Sequence, residues 1–181
     1  MTKDLSLRGV KTLYVPVAGL HWIDIARDVL THLFLQSDCT HMLQIDVDLG
    51  FPADAAWQML EREVPVIGGV YPLKTDLIQG VRPKCDPRGQ VIGLPGGFLM
   101  VEREVITAMS RDLPRYGAST LDYGYLEVAP LFTRRMEATR YVGEDYAFCE
   151  RARQAGFKLV AAEGLRFDHV GWKTWSGGYG A

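Results

Sequence analysis

His41-Met42-Leu43-Gln44-Ile45-Asp46-Val47-Asp48-Leu49-Gly50 is the stretch whose reading decides the fold. His41 to Asp46 reads as a strand, and it stops abruptly at an acidic turn. In an extended chain, residues i and i+2 point to the same side. Asp46 and Asp48 would then share one small volume at the carboxyl end of the strand, where open α/β sheets bind their ligands. Two carboxylates so close repel unless a cation lies near them. Oxygen donors suit a hard divalent ion such as Mg²⁺ or Mn²⁺, which keeps places for water and substrate phosphates. An Asp-x-Asp pair alone is also what a solvated acidic turn looks like.

Upstream, the apolar residues Trp22, Ile25, Ala26, Val29, Leu30, Leu33 and Phe34 step by three and one. That spacing makes one face of a helix over residues 22–36. Arg27 and Asp28 fall on its polar side. Before it, residues 11–17 (KTLYVPV) read as a short strand. Downstream, Pro52 opens a second helix, expected to run to about Glu63. Residues 64–71 (VPVIGGVY) read as a buried strand. Residues 75–90 read as a loop or hairpin, 97–101 (GFLMV) as a strand, and 103–109 as a short helix. Residues 110–126 read as irregular and tyrosine-rich, and 130–136 as a strand. Residues 144–155 read as a helix closed by Gly156. Residues 158–161 and 165–169 read as short strands, and 171–181, with four glycines, as a tail that is mobile or ordered by a ligand. Strands alternating with helices in the first half predict an α/β sheet. Nothing divides the chain, so 1–181 is expected to be a single domain.

Composition agrees with that class. Hydrophobic residues make up 48% of the 181 residues and charged residues 23%, with a net charge of -2. That balance gives no basic footprint for tight nucleic-acid binding. No apolar run approaches the ~18 residues that span a bilayer. Cys39, Cys85 and Cys149 form no C-x-x-C pair, so they are expected to be reduced thiols in a cytoplasmic protein.

Two more groups join the acidic turn. Glu144 and Asp145 open a helix, where carboxylates are favoured by free amides and the dipole. Capping needs only one of them. His169 ends a short strand, a placement that suits a metal ligand in a chain with two acidic turns. Lys74 follows Tyr71-Pro72 and could meet a phosphate as a point charge. Gly96 and Gly97 have no side chain to keep backbone away from a sugar.

The order Asp46-Val47-Asp48, Val66-Ile67-Gly68-Gly69-Val70-Tyr71-Pro72, Gly96-Gly97-Phe98-Leu99-Met100, Gly143-Glu144-Asp145 and Asp168-His169 resembles the GT-A-fold glycosyltransferases. The closest likeness is to small family-2-like enzymes of bacteria and viruses. It runs from about Tyr14 to Trp172. The resemblance implies a Rossmann-like mixed sheet flanked by helices. It implies a nucleotide-diphospho-sugar donor, a UDP-sugar foremost, bound with Mn²⁺ or Mg²⁺. Asp48 would be the direct metal ligand, Asp46 would touch the ribose or a metal-bound water, and His169 would complete the protein ligands. Asp145 would be the base toward the acceptor hydroxyl, with Glu144 as helper, which leans toward inversion. Arg27, Lys74, Gly96 and Gly97 would line the donor pocket. Family members often carry Arg-Asn where this chain has Arg27-Asp28. They also place another strand and helix ahead of the segment that begins at Lys11, and that unit forms much of the nucleobase pocket. Only 45 residues precede Asp46 here. The expected activity is therefore sugar transfer to an unspecified acceptor. The alternative is a shortened, non-catalytic module that binds a nucleotide-sugar or a partner. A nucleotidyltransferase or phosphohydrolase lacks a P-loop or His-rich cluster to support it.

Overall fold

The computed structural model describes residues 1–76 and 82–180. Its elements, in chain order, are α1 (Thr2–Leu7), α2 (Ile23–Gln36), β1 (His41–Ile45), β2 (Leu49–Gly50), α3 (Ala55–Leu60), β3 (Val66–Gly68), β4 (Lys84–Cys85), β5 (Val91–Gly93) and β6 (Phe98–Glu102). There follow α4 (Arg103–Ser110), β7 (Tyr116–Thr120), β8 (Gly124–Val128), β9 (Arg135–Glu137), β10 (Arg140–Val142), α5 (Glu144–Gln154), β11 (Leu159–Ala161), β12 (Phe167–Val170) and β13 (Thr174–Gly177).

The central sheet is mixed, in the order β1-β6-β3-β11. β6 runs antiparallel to both β1 and β3, and β11 is parallel to β3. Side chains of a strand alternate between faces, and β6 displays this directly. Leu99 and Val101 pack with Val105, Ile106, Phe148 and Ala152 of α4 and α5. Phe98 and Met100 pack with Ala55, Ala56 and Met59 of α3 and with Phe167. Helices therefore lie on both faces of the sheet, because both faces are apolar. The chain is a mixed α/β protein.

Four segments differ from the expectation. Residues 11–17 form no strand. Leu13 and Tyr14 are exposed, and only Val10 and Val17 at the ends reach apolar clusters. β1 is thus an outer strand of the sheet among the described residues. Pro16 contributes to this, since a proline lacks the N–H that a ladder needs. Most of the β7–β8 hairpin (Tyr116–Thr120 with Gly124–Val128) falls in residues 110–126, read as irregular, and Gly124 at φ +67° begins its second strand. The tail is placed as a strand, with β13 paired antiparallel to β12. Of residues 75–90, read as a loop or hairpin, β4 pairs with β5 just beyond them, and residues 77–81 lie outside the described residues. Residues 130–136 yield only the start of β9.

The hairpin changes the environment of α2. Arg27 and Asp28, expected on a polar face, are buried, as is Thr31. Tyr116 Oη donates to Asp28 Oδ2 at 2.9 Å, and the Phe132 N–H donates to Oδ1 at 2.8 Å. Burial raises the Asp28 carboxyl to about 6, against the lowering effect of those two hydrogen bonds. At the other end of α2, Arg103 donates to the carbonyls of Phe34, Ser37 and Cys39, which tie off the helix C-terminus. The three cysteines are free, and burial pushes the Cys149 thiol up to about 12, leaving it inert. No helix among the described residues is long and apolar enough to cross a membrane.

Candidate functional site

Sheet register gathers the site at one edge. Ile45 pairs with Phe98 and Gly68 with Leu99, so the ends of β1 and β3 meet the start of β6. The Asp46 N–H donates to the Gly97 carbonyl at 2.8 Å, and the Gly69 N–H to Phe98 at 2.8 Å. Asp46, Gly97 and Tyr71 thereby share one corner.

Arg27 reaches this corner from below and is only 4% exposed. Its Nη2 donates to Asp46 Oδ1 at 3.0 Å, and its Nη1 to Gln44 Oε1 at 3.0 Å and the Gly96 carbonyl at 2.8 Å. Its Nε has no hydrogen-bond partner and lies 3.6 Å from Glu144 Oε1. A buried guanidinium needs such compensation by carboxylates and carbonyls. Arg27 is therefore a structural cation between Asp46 and Glu144 rather than a surface group. The two glycines serve the same packing. A Cβ on Gly96 would lie 2.9 Å from Arg27 Cζ, and one on Gly97 would lie 2.7 Å from Asp46 Oδ2 and collide with the Tyr71 hydroxyl. They make room for this chain's own side chains, where a sugar had been expected. Tyr71 Oη accepts from the Gly97 N–H at 3.0 Å, and burial, then the Asp46 charge, raise its phenol.

Asp48 stands apart from Asp46. The strand ends at Ile45, and the Leu49 N–H donates back to the Asp46 carbonyl at 3.3 Å. Residues 46–49 thus form a turn, so the same-side argument for an extended pair does not apply. Asp46 is held by Arg27, while Asp48 meets His169. The long-range pairing of β2 with β12 sets His169 opposite Leu49, and the Val170 N–H donates to the Asp48 carbonyl at 2.8 Å. His169 Nδ1 lies 2.8 Å from the Pro72 carbonyl, which accepts only if Nδ1 carries the proton. That tautomer leaves the Nε2 lone pair 3.6 Å from Asp48 Oδ2. The Tyr71 ring packs edge-on against the imidazole, with centroids 5.1 Å apart. Lys74 Nζ donates to Asp48 Oδ2 at 2.6 Å. Burial would raise the Asp48 carboxyl, but the hydrogen bond and the charge of Lys74 outweigh it and hold it below its ordinary value. Among the described residues, no three His, Cys, Asp or Glu side chains come together around a metal position. The expected set of Asp46, Asp48 and His169 is reduced to the last two, because Arg27 claims Asp46.

Asp145 opens α5 beside the same corner. Its Oδ1 accepts from the Tyr146 N–H at 2.7 Å. Burial first, and the Glu144 charge second, raise its carboxyl above the ordinary range. The next residue, Tyr146, lines a cleft.

That cleft, of about 540 Å³, is lined by Tyr71, Pro95, Tyr146, Lys84, Lys173 and Trp175, among others. Sequence reading passed over three features. Gln44 is a polar residue on the buried side of β1, and that position was the available signal. Asp76 and Lys173 left no sequence signal, since they depend on each other across 97 residues.

No protein-family model matches the chain, and no curated protein matches its sequence. A solved structure, that of A197 from STIV, is similar with a TM-score of 0.57 at 18% identity. The match covers 92% of this chain and 75% of that one. At that identity the likeness is one of fold.

Proposed function

We propose that this chain is a GT-A-type, divalent-cation-dependent glycosyltransferase. It moves a sugar from a nucleotide-diphospho-sugar, a UDP-sugar foremost, to an acceptor hydroxyl with inversion. The observation that carries this reading is the Asp48–His169 pair, with the imidazole tautomer set by Pro72 so that its lone pair faces the carboxylate. A metal-binding histidine is ordinarily fixed by a hydrogen bond of this kind.

The donors fit a hard or borderline divalent ion. One carboxylate oxygen and one imidazole nitrogen come from the protein, and the other positions fall to water and the diphosphate. Bound Mn²⁺ or Mg²⁺ supplies Lewis-acid stabilisation of the departing diphosphate. Lys74, beside Asp48, adds a second positive charge for the phosphates. Asp46, oriented by Arg27, is an acceptor for a ribose hydroxyl. Asp145 takes the proton of the acceptor hydroxyl. That oxygen bonds to the anomeric carbon as the carbon–phosphate oxygen bond breaks, and the electron pair leaves with the nucleoside diphosphate. Burial, and then the Glu144 charge, raise the basicity of Asp145 toward that proton.

Two observations favour the second reading, a non-catalytic binding module. Lys74 already neutralises Asp48, and residues 11–17 do not extend the sheet beside β1. A screen of nucleotide-sugars for Mn²⁺-dependent thermal stabilisation separates the two. Sugar transfer predicts a shift that requires the ion, is lost in Asp48→Ala, and is accompanied by turnover. A shift that persists without the ion and in Asp48→Ala overturns it in favour of the module.

A further inference from the structure

The cleft beside Asp145 is lined by more cations than carboxylates. Among its described lining residues, Arg82, Lys84 and Lys173 face a single carboxylate, Asp76, in a chain whose net charge is -2. Its walls are aromatic. Lys84 Nζ sits 5.0 Å over the Tyr146 ring, and Lys173 Nζ 5.2 Å over the Trp175 ring. Asp76 orders one side of it, accepting from Lys173 at 2.6 Å and from Trp175 Nε1 at 3.0 Å. Tyr71 joins the cleft to the Asp46–Gly97 corner, and Tyr146 follows Asp145 in α5.

We infer that this cleft is the acceptor subsite and that it takes a small, soluble acceptor bearing a phosphate monoester. The surplus of two cations matches the roughly -2 charge of such a group at neutral pH. Lysine ammoniums suit phosphate oxygens as point charges. Tyr71, Tyr146 and Trp175 offer flat apolar faces to the body of the molecule. The acceptor role rests on the glycosyl-transfer reading, whereas the preference for an anion rests on the lining alone. The reacting hydroxyl is then the one that the bound phosphate places at Asp145.

Phenyl phosphate titrated in EDTA, followed by tryptophan fluorescence and by NMR, tests the inference while ion-dependent diphosphate binding is silent. Phenyl β-glucoside is the neutral control, and thermal melts establish that each variant is folded. Saturable binding of phenyl phosphate but not of the glucoside is expected. Lys84→Gln and Lys173→Gln should each weaken it by about tenfold, the loss of one charge-assisted contact. Asp76→Asn should tighten it, because it removes the only carboxylate of the described lining and releases Lys173. A structural role for Asp76 predicts no such gain. Equal binding of both probes, or lysine variants that bind like the parent, overturns the inference. So does capture by phosphatidate vesicles without binding of phenyl phosphate, which would assign the phosphate to a lipid. The two readings fail separately. Phenyl phosphate binding without any Mn²⁺-dependent nucleotide-sugar shift leaves the anion site standing and removes its acceptor role. The converse result leaves the transferase and removes the phosphate.

Discussion

Asp28→Asn removes a buried charge and keeps its shape. Asp28 is 1% exposed, and its carboxyl is raised from 3.8 to about 6 by burial, against the hydrogen bonds from Phe132 and Tyr116. A gap of roughly two pH units, at about 1.4 kcal/mol each, means that ionised Asp28 costs the fold about 3 kcal/mol. A carboxyl raised in the folded state contributes its stability in full below 3.8. That contribution is lost as pH rises through about 6. Asparagine carries no such cost, and its Oδ1 still accepts from the Phe132 N–H. Its Nδ2 replaces Oδ2, so the Tyr116 hydroxyl must turn and accept a neutral bond, and the net gain at pH 8 should be about 2 kcal/mol. For a domain of this size, that raises Tm by about 4–8 °C. Thermal and urea denaturation of parent and variant at pH 8, 6 and 4 measure it. The gain should shrink as pH falls and vanish near pH 4. A variant less stable than the parent at pH 8, or a gain independent of pH, would refute the reasoning. Either result would mean that the hydrogen bonds to Asp28 outweigh the burial of its charge.

Gly97→Ala should destabilise the fold by about 1–3 kcal/mol, because its Cβ lands on Tyr71 and Asp46; a parent-like urea midpoint would reject this. Asp145→Asn should lower transfer by about 10²–10⁴-fold. In the parent, the rate should rise with pH through the raised carboxyl and then level, and Glu144→Gln should move that rise to lower pH. A pH–rate profile unaltered by Glu144→Gln counts against the pairing. Lys74→Met should strengthen Mn²⁺ binding by up to about fivefold, the worth of a half-exposed ion pair of about 1 kcal/mol, while weakening nucleotide diphosphate. Calorimetry that finds both unchanged would show that Lys74 neither competes with the ion nor meets the phosphates.

Local pattern carried much of the architecture. The i, i+3, i+4 spacing from Trp22 to Phe34 located α2, and the apolar runs at 41–46, 64–71 and 97–101 located β1, β3 and β6. These read correctly because a strand or helix that must bury apolar surface declares its period in the chain itself. Residues 11–17 have the same apolar look and form no strand, because a strand exists only where a neighbour accepts its hydrogen bonds.

The candidate site divides along the same line. The residue types were legible in the sequence: two aspartates at a strand end, an acidic helix start and a histidine after a late strand. Their partnerships were not. Asp46 and Asp48, two residues apart, separate because one turn hands the first to Arg27 and the second to a histidine 121 positions later. Asp28, polar by any local measure, is buried where a distant hairpin brings Tyr116 to it, and Arg27 where Gln44, Asp46 and Gly96 close around it. Sequence by itself located the elements that carry the buried apolar faces, α2, β1, β3 and β6, since their period depends on neighbours within a few residues. Tertiary structure alone decided which charges meet, since that depends on segments the chain brings together only after its apolar faces are buried.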